Sequence, residues 1–555
     1  MKNKIYYFAV LSFILIFFSC GTSKSLHDLP QLIGYNNSTP TVVKNSNTAF
    51  ISGNNFLIKN KQNLWELYVE GDPLERGNLM GALTDSLLKK QEKIFFSKLA
   101  SIVPSKSKQY LLREFLKWYN RKLYRNVNEE YKTEIYGISQ YTSHDYDYLA
   151  PQYLRSLYLH GAHDIGHALQ DLALVGCSSF AAWGDKSEDG SLILGRNFDF
   201  YVGDDFAKDK IVAFVNPNQG HPFMMVTWAG MIGSVSGMNK EGLTVTINAA
   251  KSKIPLAAKT PISLLTREIL QYAVTIDQAI AIAKSKKVFV SESILVGSAA
   301  DKRAVIIEVS PNGFGVYRVE NSNQIICTNH FQSEELKNNP NNQFQIANSH
   351  SKYRYDRITQ LFDQNPKINI NLAASILRNK EGLNDEAIGY GNEKALNQLI
   401  AHHGIIFKPE QKLVWVSANP YQLGEFVCYD LNKIFSKHYS ADTISSLQEE
   451  TYNIPKDPFL DSKAYADYEL FRIEDIKIDD FIKNKTFLTS DFIKNYQSLN
   501  SNYWGVYYKV GVSLYDHKQY QLAKEQLLLA LSKEVTTIPD TIRIQKYLNK
   551  INRKL

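Results

Sequence analysis

Two strand-like runs joined through a tight turn constrain this chain more than any other feature. Residues 178–183 and 191–200 alternate like strands, and Asp189-Gly190 between them supplies the positive-φ positions that a hairpin needs. Further strand-like runs follow at 211–215, 222–228 and 234–238. Asn239-Lys240-Glu241-Gly242 then turns the chain back into 243–248. Two helical stretches come next. Residues 261–273 carry Ile262, Leu265, Ile269 and Leu270 on one face, and Thr275-Ile276-Asp277-Gln278 is a capping box opening 279–285. Strands resume at 293–297, 304–309, 313–319, 404–407 and 413–417, and 420–429 closes the set. Strands, paired helices and strands again predict an α+β layered fold rather than a doubly wound parallel sheet.

The first arm of the hairpin begins Val175-Gly176-Cys177-Ser178-Ser179-Phe180, and the second reads Leu194-Gly195-Arg196-Asn197-Phe198-Asp199-Phe200. Gly176–Cys177 reads as a bond that the protein cuts in itself, leaving Cys177 as a new N-terminus and nucleophile. Such a residue carries its own base. An α-amino group with a pKa of about 8 is partly neutral near neutral pH and lies within reach of its own thiol. The thiolate is the attacking species. Arg196 and Asp199, on the returning arm, are placed to fix the charge state of that amine–thiol pair.

Gly-Cys-Ser-Ser, followed after the Asp189-Gly190 turn by Gly-Arg-Asn-Phe-Asp, resembles the N-terminal-nucleophile hydrolases of the isopenicillin-N (acyl-coenzyme A:6-aminopenicillanate) acyltransferase family. Choloylglycine hydrolases and acid ceramidases are more distant relatives. Other pieces resemble the family too. They are the Gly71-Asp72-Pro73-Leu74-Glu75-Arg76-Gly77 turn, Glu134-Ile135-Tyr136-Gly137-Ile138, the strand ending at Asn248, and Thr328-Asn329-His330-Phe331. The resemblance covers about residues 60–432 and implies a four-layer α-β-β-α sandwich. It carries over Asn248 and Asn329 as residues that stabilise the oxyanion. An arginine of the helix opening at Ser351 also carries over: Arg354 by its place in the motif, with Arg357 one turn away as the rival. No metal or organic cofactor is implied.

The chain has 555 residues, is 44% hydrophobic and has a net charge of +7 without a basic stripe, so nucleic-acid binding is not expected. Residues 1–20 read as a lipoprotein signal peptide. Lys2 and Lys4 precede an apolar run too short to span a membrane, and Cys20 stands where acylation would occur. The expected location is the bacterial cell envelope, lipid-anchored at the outer membrane. Residues 21–50, rich in Ser, Thr and Asn, read as a flexible tether. Residues 51–176 read as a mostly helical prosegment with a strand at 64–69, and 177–432 as the hydrolase core. Residues 433–555 read as a charged linker followed by a helical hairpin with tetratricopeptide-like spacing, packed on the core or on a protein partner.

Two of the four cysteines, Cys327 and Cys428, lie in apolar runs and read as buried free thiols. His160, His163 and His167 fall on one helical face, but two glycines and the lack of a nearby cysteine argue against a metal. His402 and His403 read as structural, since an amine base makes a histidine base unnecessary. The reading that follows is a self-activating amidohydrolase or acyltransferase passing an acyl group through a thioester on Cys177. A catalytically silent anchored binding protein and a phospholipase-B-like ester hydrolase are the alternatives. The substrate is a small-molecule acyl amide, and hydrolysis and transfer stay open because both share the thioester.

Overall fold

The computed structural model describes residues 22–555 except 162–163, 165–175, 202, 252–256 and 441–443. Cys20 and the signal-like run lie outside the described residues, as do His163 and His167. The N-terminal part supplies β1 (Val43–Ser46), β2 (Ala49–Ser52), β3 (Asn55–Lys59) and β4 (Trp65–Gly71). A run of helices leads to β5 (Ser178–Ala182) and β6 (Ile193–Phe198), then β7 (Ile211–Pro217), β8 (Phe223–Thr227), β9 (Ser236–Asn239) and β10 (Leu243–Ala250). The helices Ile262–Tyr272 and Ile276–Ser285 precede β11 (Ser291–Ser298), β12 (Arg303–Ser310), β13 (Gly313–Tyr317) and β14 (Gln324–Cys327). The last strands are β15 (His403–Lys408), β16 (Leu413–Ser417) and β17 (Phe426–Asp430).

These strands form two sheets. The larger has the order β1-β2-β3-β4-β7-β8-β9-β10-β11-β12-β13, and the smaller β14-β5-β6-β15-β16-β17. Three apolar clusters define the layers. Phe56, Phe214, Met224 and Ile306 of the larger sheet meet Leu194, Ile405, Phe407 and Val416 of the smaller one. The other face of the larger sheet, with Leu67, Val215 and Ile247, packs against Leu79, Ile135, Leu265 and Ile269 from helices. The outer face of the smaller sheet, with Phe180, Ile406 and Trp415, is covered by Ile358, Phe362 and Ile376. In β15, Ile405 and Phe407 face the other sheet while Ile406 faces the helices, the period of two that a doubly buried strand requires. The architecture is therefore the four-layer α-β-β-α sandwich that the resemblance implied.

The segment before Cys177 is more deeply built in than a helical prosegment. β4 lies parallel to β7 from Trp65 opposite Ile211 to Gly71 opposite Pro217, so β1–β4 extend one edge of the larger sheet. β1 and β2 begin within the stretch read as a tether. Phe50 pairs with Leu57 in the ladder, and Ile51 is buried, which supplies the apolar contact that composition alone did not reveal. The two family-like pieces of this segment meet each other. The helix Pro73–Leu83 is capped by Asp72, whose side chain accepts from the Glu75 N–H. It crosses Glu129–Ser139 at Gly77 and Gly137. A Cβ on Gly77 would stand 2.2 Å from the Glu134 carbonyl oxygen, so only glycine allows this approach.

The C-terminal region differs from the sequence reading. Within the stretch read as a charged linker, Lys463–Asn484 is one continuous helix of 22 residues. Tyr468, Phe471 and Ile478, at helical spacing, give it a buried stripe that the surrounding charged residues obscure. With Ser490–Leu499, Trp504–Asp516, Tyr520–Leu531 and Ile538–Ile551 it forms a helical module. The module core, including Val510, Leu527 and Ile544, is continuous with Leu399, Tyr421 and Leu423 of the sandwich.

Candidate active site

Cys177 directly precedes β5, and the β5–β6 ladder sets Ser179 opposite Arg196 and Ser178 opposite Asn197. That register brings Arg196 back to Cys177. Its Nη2 donates to Cys177 Sγ at 3.7 Å and to the Ile247 carbonyl at 2.5 Å. Nη1 donates to the Val235 carbonyl at 2.9 Å and to Ser236 Oγ. The guanidinium also lies over the Phe198 ring, 4.3 Å from its centre. Cys177 and Arg196 are both buried. Burial pushes the Cys177 thiol up; Arg196 and Arg354 pull it down, and Asp199 and Glu292 push it up further. With its nitrogen still in the peptide bond, the thiol rests neutral.

Asp199 follows β6 and is buried, with neither carboxylate oxygen hydrogen-bonded among the described residues. Burial pushes it up to about 7, against the pull of Arg354 and Arg196. A second such carboxyl is Glu292 on β11. It too is buried without a hydrogen-bond partner among the described residues, and burial together with Asp164 raises it well above the carboxylate range. Sequence reasoning missed Glu292, because an acid inside a strand-like run carries no local signal of where it faces.

Arg354, on the helix Ser351–Gln364, joins the rest of the site. Its Nη1 donates to the Cys177 carbonyl at 2.6 Å and to Ser178 Oγ at 2.8 Å, and its Nη2 to Asn329 Oδ1 at 2.6 Å. Burial draws Arg354 down to about 10, so it stays a cation at neutral pH. Arg357 turns away, to Asn379, Gln360 and Asp385. Of the two arginines, Arg354 is the one at Cys177. Asn329 Nδ2 donates to the Ala249 carbonyl at 2.8 Å. Asn248 accepts from Ser179 Oγ at 2.8 Å and donates to the Cys327 carbonyl at 3.0 Å. Each amide therefore keeps one of its two N–H groups for another acceptor.

Two further elements were not foreseen. His403 Nε2 lies 2.9 Å from Ser236 Oγ, and His403 Nδ1 lies 2.9 Å from His402 Nδ1. Arg196 can only donate, so Ser236 Oγ accepts from it and uses its remaining capacity toward His403 Nε2. Burial holds both rings well below their usual range, and hence neutral. The pair read as structural is thus the outer support of Arg196. The second element is Gln398, buried on the loop before β15, whose Nε2 donates to the Gly176 carbonyl at 2.9 Å. The Gly176 N–H in turn donates to the Asp199 carbonyl at 3.4 Å.

Residues 186–417 match the profile of the family described as acyl-coenzyme A:6-aminopenicillanic acid acyl-transferase. Over that segment the chain is similar to this acyltransferase family. The matched segment begins after Cys177 and holds Arg196, Asp199, Asn248, Asn329 and Arg354. A curated relative, an uncharacterized protein of Archaeoglobus fulgidus, is 26% identical over 270 residues. That match takes in 45% of this chain and 44% of the relative, so the chain spans less than half of the relative's length. Among solved structures, the Caenorhabditis elegans ortholog of N-acylethanolamine-hydrolyzing acid amidase is 17% identical. That similarity covers 42% of this chain and 93% of that one, with a TM-score of 0.31. A mutant of conjugated bile acid hydrolase from Clostridium perfringens is 13% identical, covering 46% and 93%, with a TM-score of 0.30. Among the described residues, Cys177, Cys327 and Cys428 are buried free thiols, and no group of His, Cys, Asp and Glu is able to bind a metal.

Proposed function

We propose that the protein cuts itself between Gly176 and Cys177 and then acts as a cysteine N-terminal-nucleophile amidohydrolase or acyltransferase on an acyl amide. One observation carries this reading: a buried thiol lies against Arg196 beside the Asp199 carboxyl, which has no hydrogen-bond partner among the described residues. A carboxyl near pH 7 can take the thiol proton, and Arg196 stabilises the thiolate that forms. Sγ then bonds to the Gly176 carbonyl carbon. The C–N bond breaks, and the nitrogen takes a proton to become the α-amine of Cys177. Water hydrolyses the thioester, leaving a carboxylate on Gly176 and a thiol on Cys177.

Turnover reuses these atoms. The Cys177 thiolate attacks the acyl amide while its α-amine accepts the thiol proton and passes it to the leaving amine. Water or a second amine then takes the acyl group from the thioester. The unpaired Asp199 carboxylate is suited to hold the new ammonium, and Asn248 and Asn329 have N–H groups left for an oxyanion. A small groove lined in part by Phe95, Leu159, Phe200, Phe206, Trp228 and Met231 lies beyond the end of β6. Anchoring at the outer membrane through acylated Cys20 completes the proposal.

N-terminal sequencing tests the first step: a chain beginning Cys-Ser-Ser-Phe is expected, co-purifying with the preceding piece because β4 and β7 share a ladder. Finding no such chain overturns the reading. A panel of N-acyl amides, including bile-salt conjugates, N-acyl amino acids and β-lactam side chains with hydroxylamine as acceptor, tests the second. Cys20→Ala is expected to move the protein from the membrane to the soluble fraction; sedimentation with membranes would remove the anchor.

A further inference from the structure

Gln398 stands on the one carbonyl that self-cleavage must attack. The Gly176 oxygen can only accept, so the Gln398 atom 2.9 Å away is the amide nitrogen. The contact is buried and 222 positions apart in sequence. It is also tight: a Cβ on Gly176 would sit 2.1 Å from Gln398 Nε2 and 2.7 Å from its Cδ. Glycine at 176 is therefore needed less for a turn than to let this amide reach the carbonyl.

The loop that carries Gln398 is held by the C-terminal module. Asn392 donates to the Glu534 carbonyl at 2.9 Å and accepts from Thr536 Oγ at 3.1 Å, and Lys394 pairs with Glu534. Trp504 Nε1 donates to the same Thr536 hydroxyl at 2.8 Å. On the far side of Gln398, Leu399 is buried at φ 54°, a left-handed conformation that a leucine adopts only when its surroundings impose it. Leu399 and Ala401 belong to the apolar core of the module.

We propose that Gln398 is a catalytic residue of self-cleavage, the donor to the oxyanion that forms on Gly176, and that the C-terminal module is the clamp that holds it there. The inference rests on the self-cleavage reading above. When Cys177 Sγ bonds to the Gly176 carbon, the carbonyl π electrons move to the oxygen, and Gln398 Nε2–H already faces that negative charge. The charge returns as the C–N bond breaks and the nitrogen is protonated, and water then releases the thioester. A preorganised donor in a buried site contributes about 10²–10³ in rate.

The test follows the appearance of the Cys177 N-terminus after a pulse of synthesis, in wild type, Gln398→Leu and Gln398→Met. Both variants should be cut about 10²–10³-fold more slowly, because neither an alkyl group nor a thioether donates a hydrogen bond. Gln398→Met keeps the length and carries the test should Gln398→Leu not fold, with near-ultraviolet circular dichroism as the folding control. Gly176→Ala should slow cutting in wild type but add little in Gln398→Ala, since the methyl group and the amide contend for one place. Thr536→Val should slow cutting in wild type and not in Gln398→Leu, a pattern that general destabilisation would not produce. Folded Gln398→Leu and Gln398→Met cut at the wild-type rate would overturn the proposal. A wild type that is never cut would instead remove the self-cleavage reading, and this inference with it.

Discussion

Two of the buried charge clusters among the described residues are built on opposite rules. In the first, Glu134 accepts from Arg76 Nη2 at 2.8 Å and from Arg267 Nη2 at 3.3 Å, and Arg76 also donates to the Gly71 carbonyl at 2.8 Å. Burial would raise the Glu134 carboxyl, but Arg267 and Arg76 hold it below its usual value. In the second cluster, Arg196 and Arg354 are spent on backbone carbonyls, hydroxyls and the thiol, while the Asp199 and Glu292 carboxyls have no hydrogen bond among the described residues. The first cluster is satisfied and ties the helices before Cys177 to the sandwich. The second is left frustrated around the Cys177 thiol, and that is where a proton can be received. Burial alone does not distinguish structure from chemistry; satisfaction of the buried groups does.

The largest expected break in this contrast is Cys177→Ala, which should abolish both chain cutting and acyl-amide turnover. Cys177→Ser should retain slow cutting while turnover falls by orders of magnitude, because an alkoxide is much harder to form than a thiolate. Electrophoresis and the acyl-amide panel measure the two effects. Equal turnover in wild type and Cys177→Ala would erase the functional half of the comparison.

Next in size is Glu134→Ala, which leaves the buried Arg267 guanidinium without its anion and Arg76 with Glu130 alone. Denaturant unfolding in a Cys177→Ala background, where the chain stays whole, should show a loss of about 3–5 kcal/mol. A loss within experimental error would mean that the paired cluster is not the structural tie described.

A smaller effect is expected from Asp199→Asn, read as a pH slope. Asp199 titrates from 3.8 when unperturbed and at about 7 in the fold. An acid raised in this way binds its proton more tightly when folded. Its contribution is full below the unfolded value and is lost as pH climbs through the folded one. Between roughly pH 4 and pH 8, Cys177→Ala with Asp199→Asn should lose less stability than Cys177→Ala alone. Parallel slopes would place the Asp199 carboxyl in a solvated setting. Glu292→Gln should act in the same direction. A carboxyl held neutral by burial gives up its proton on unfolding at pH 7, so a neutral amide of the same shape should remove that cost and raise stability at pH 7. A loss like that of Glu134→Ala would make Glu292 a paired group after all.

Much of the sandwich was legible because its signals are local. Strand periodicity, the Asp189-Gly190 turn with Gly190 at φ 77°, and the Thr275–Gln278 capping box all act within a few residues and recur in the structure. The stretch 21–50 and the long helix Lys463–Asn484 were misread for the complementary reason. Their polar composition hides a thin apolar stripe whose value depends on what packs against it.

For the site, the sequence by itself determined the Gly176–Cys177 junction and the spacing of Arg196 and Asp199, since one hairpin carries all of them. Only the tertiary structure decided between Arg354 and Arg357, brought Gln398 onto the Gly176 carbonyl across 222 positions, and set Ser236 and His403 behind Arg196. These contacts join separate strands, helices and loops. Which buried donor meets which acceptor is fixed by the packing of layers and by the need to satisfy each polar group left inside, and that is a property of the whole fold.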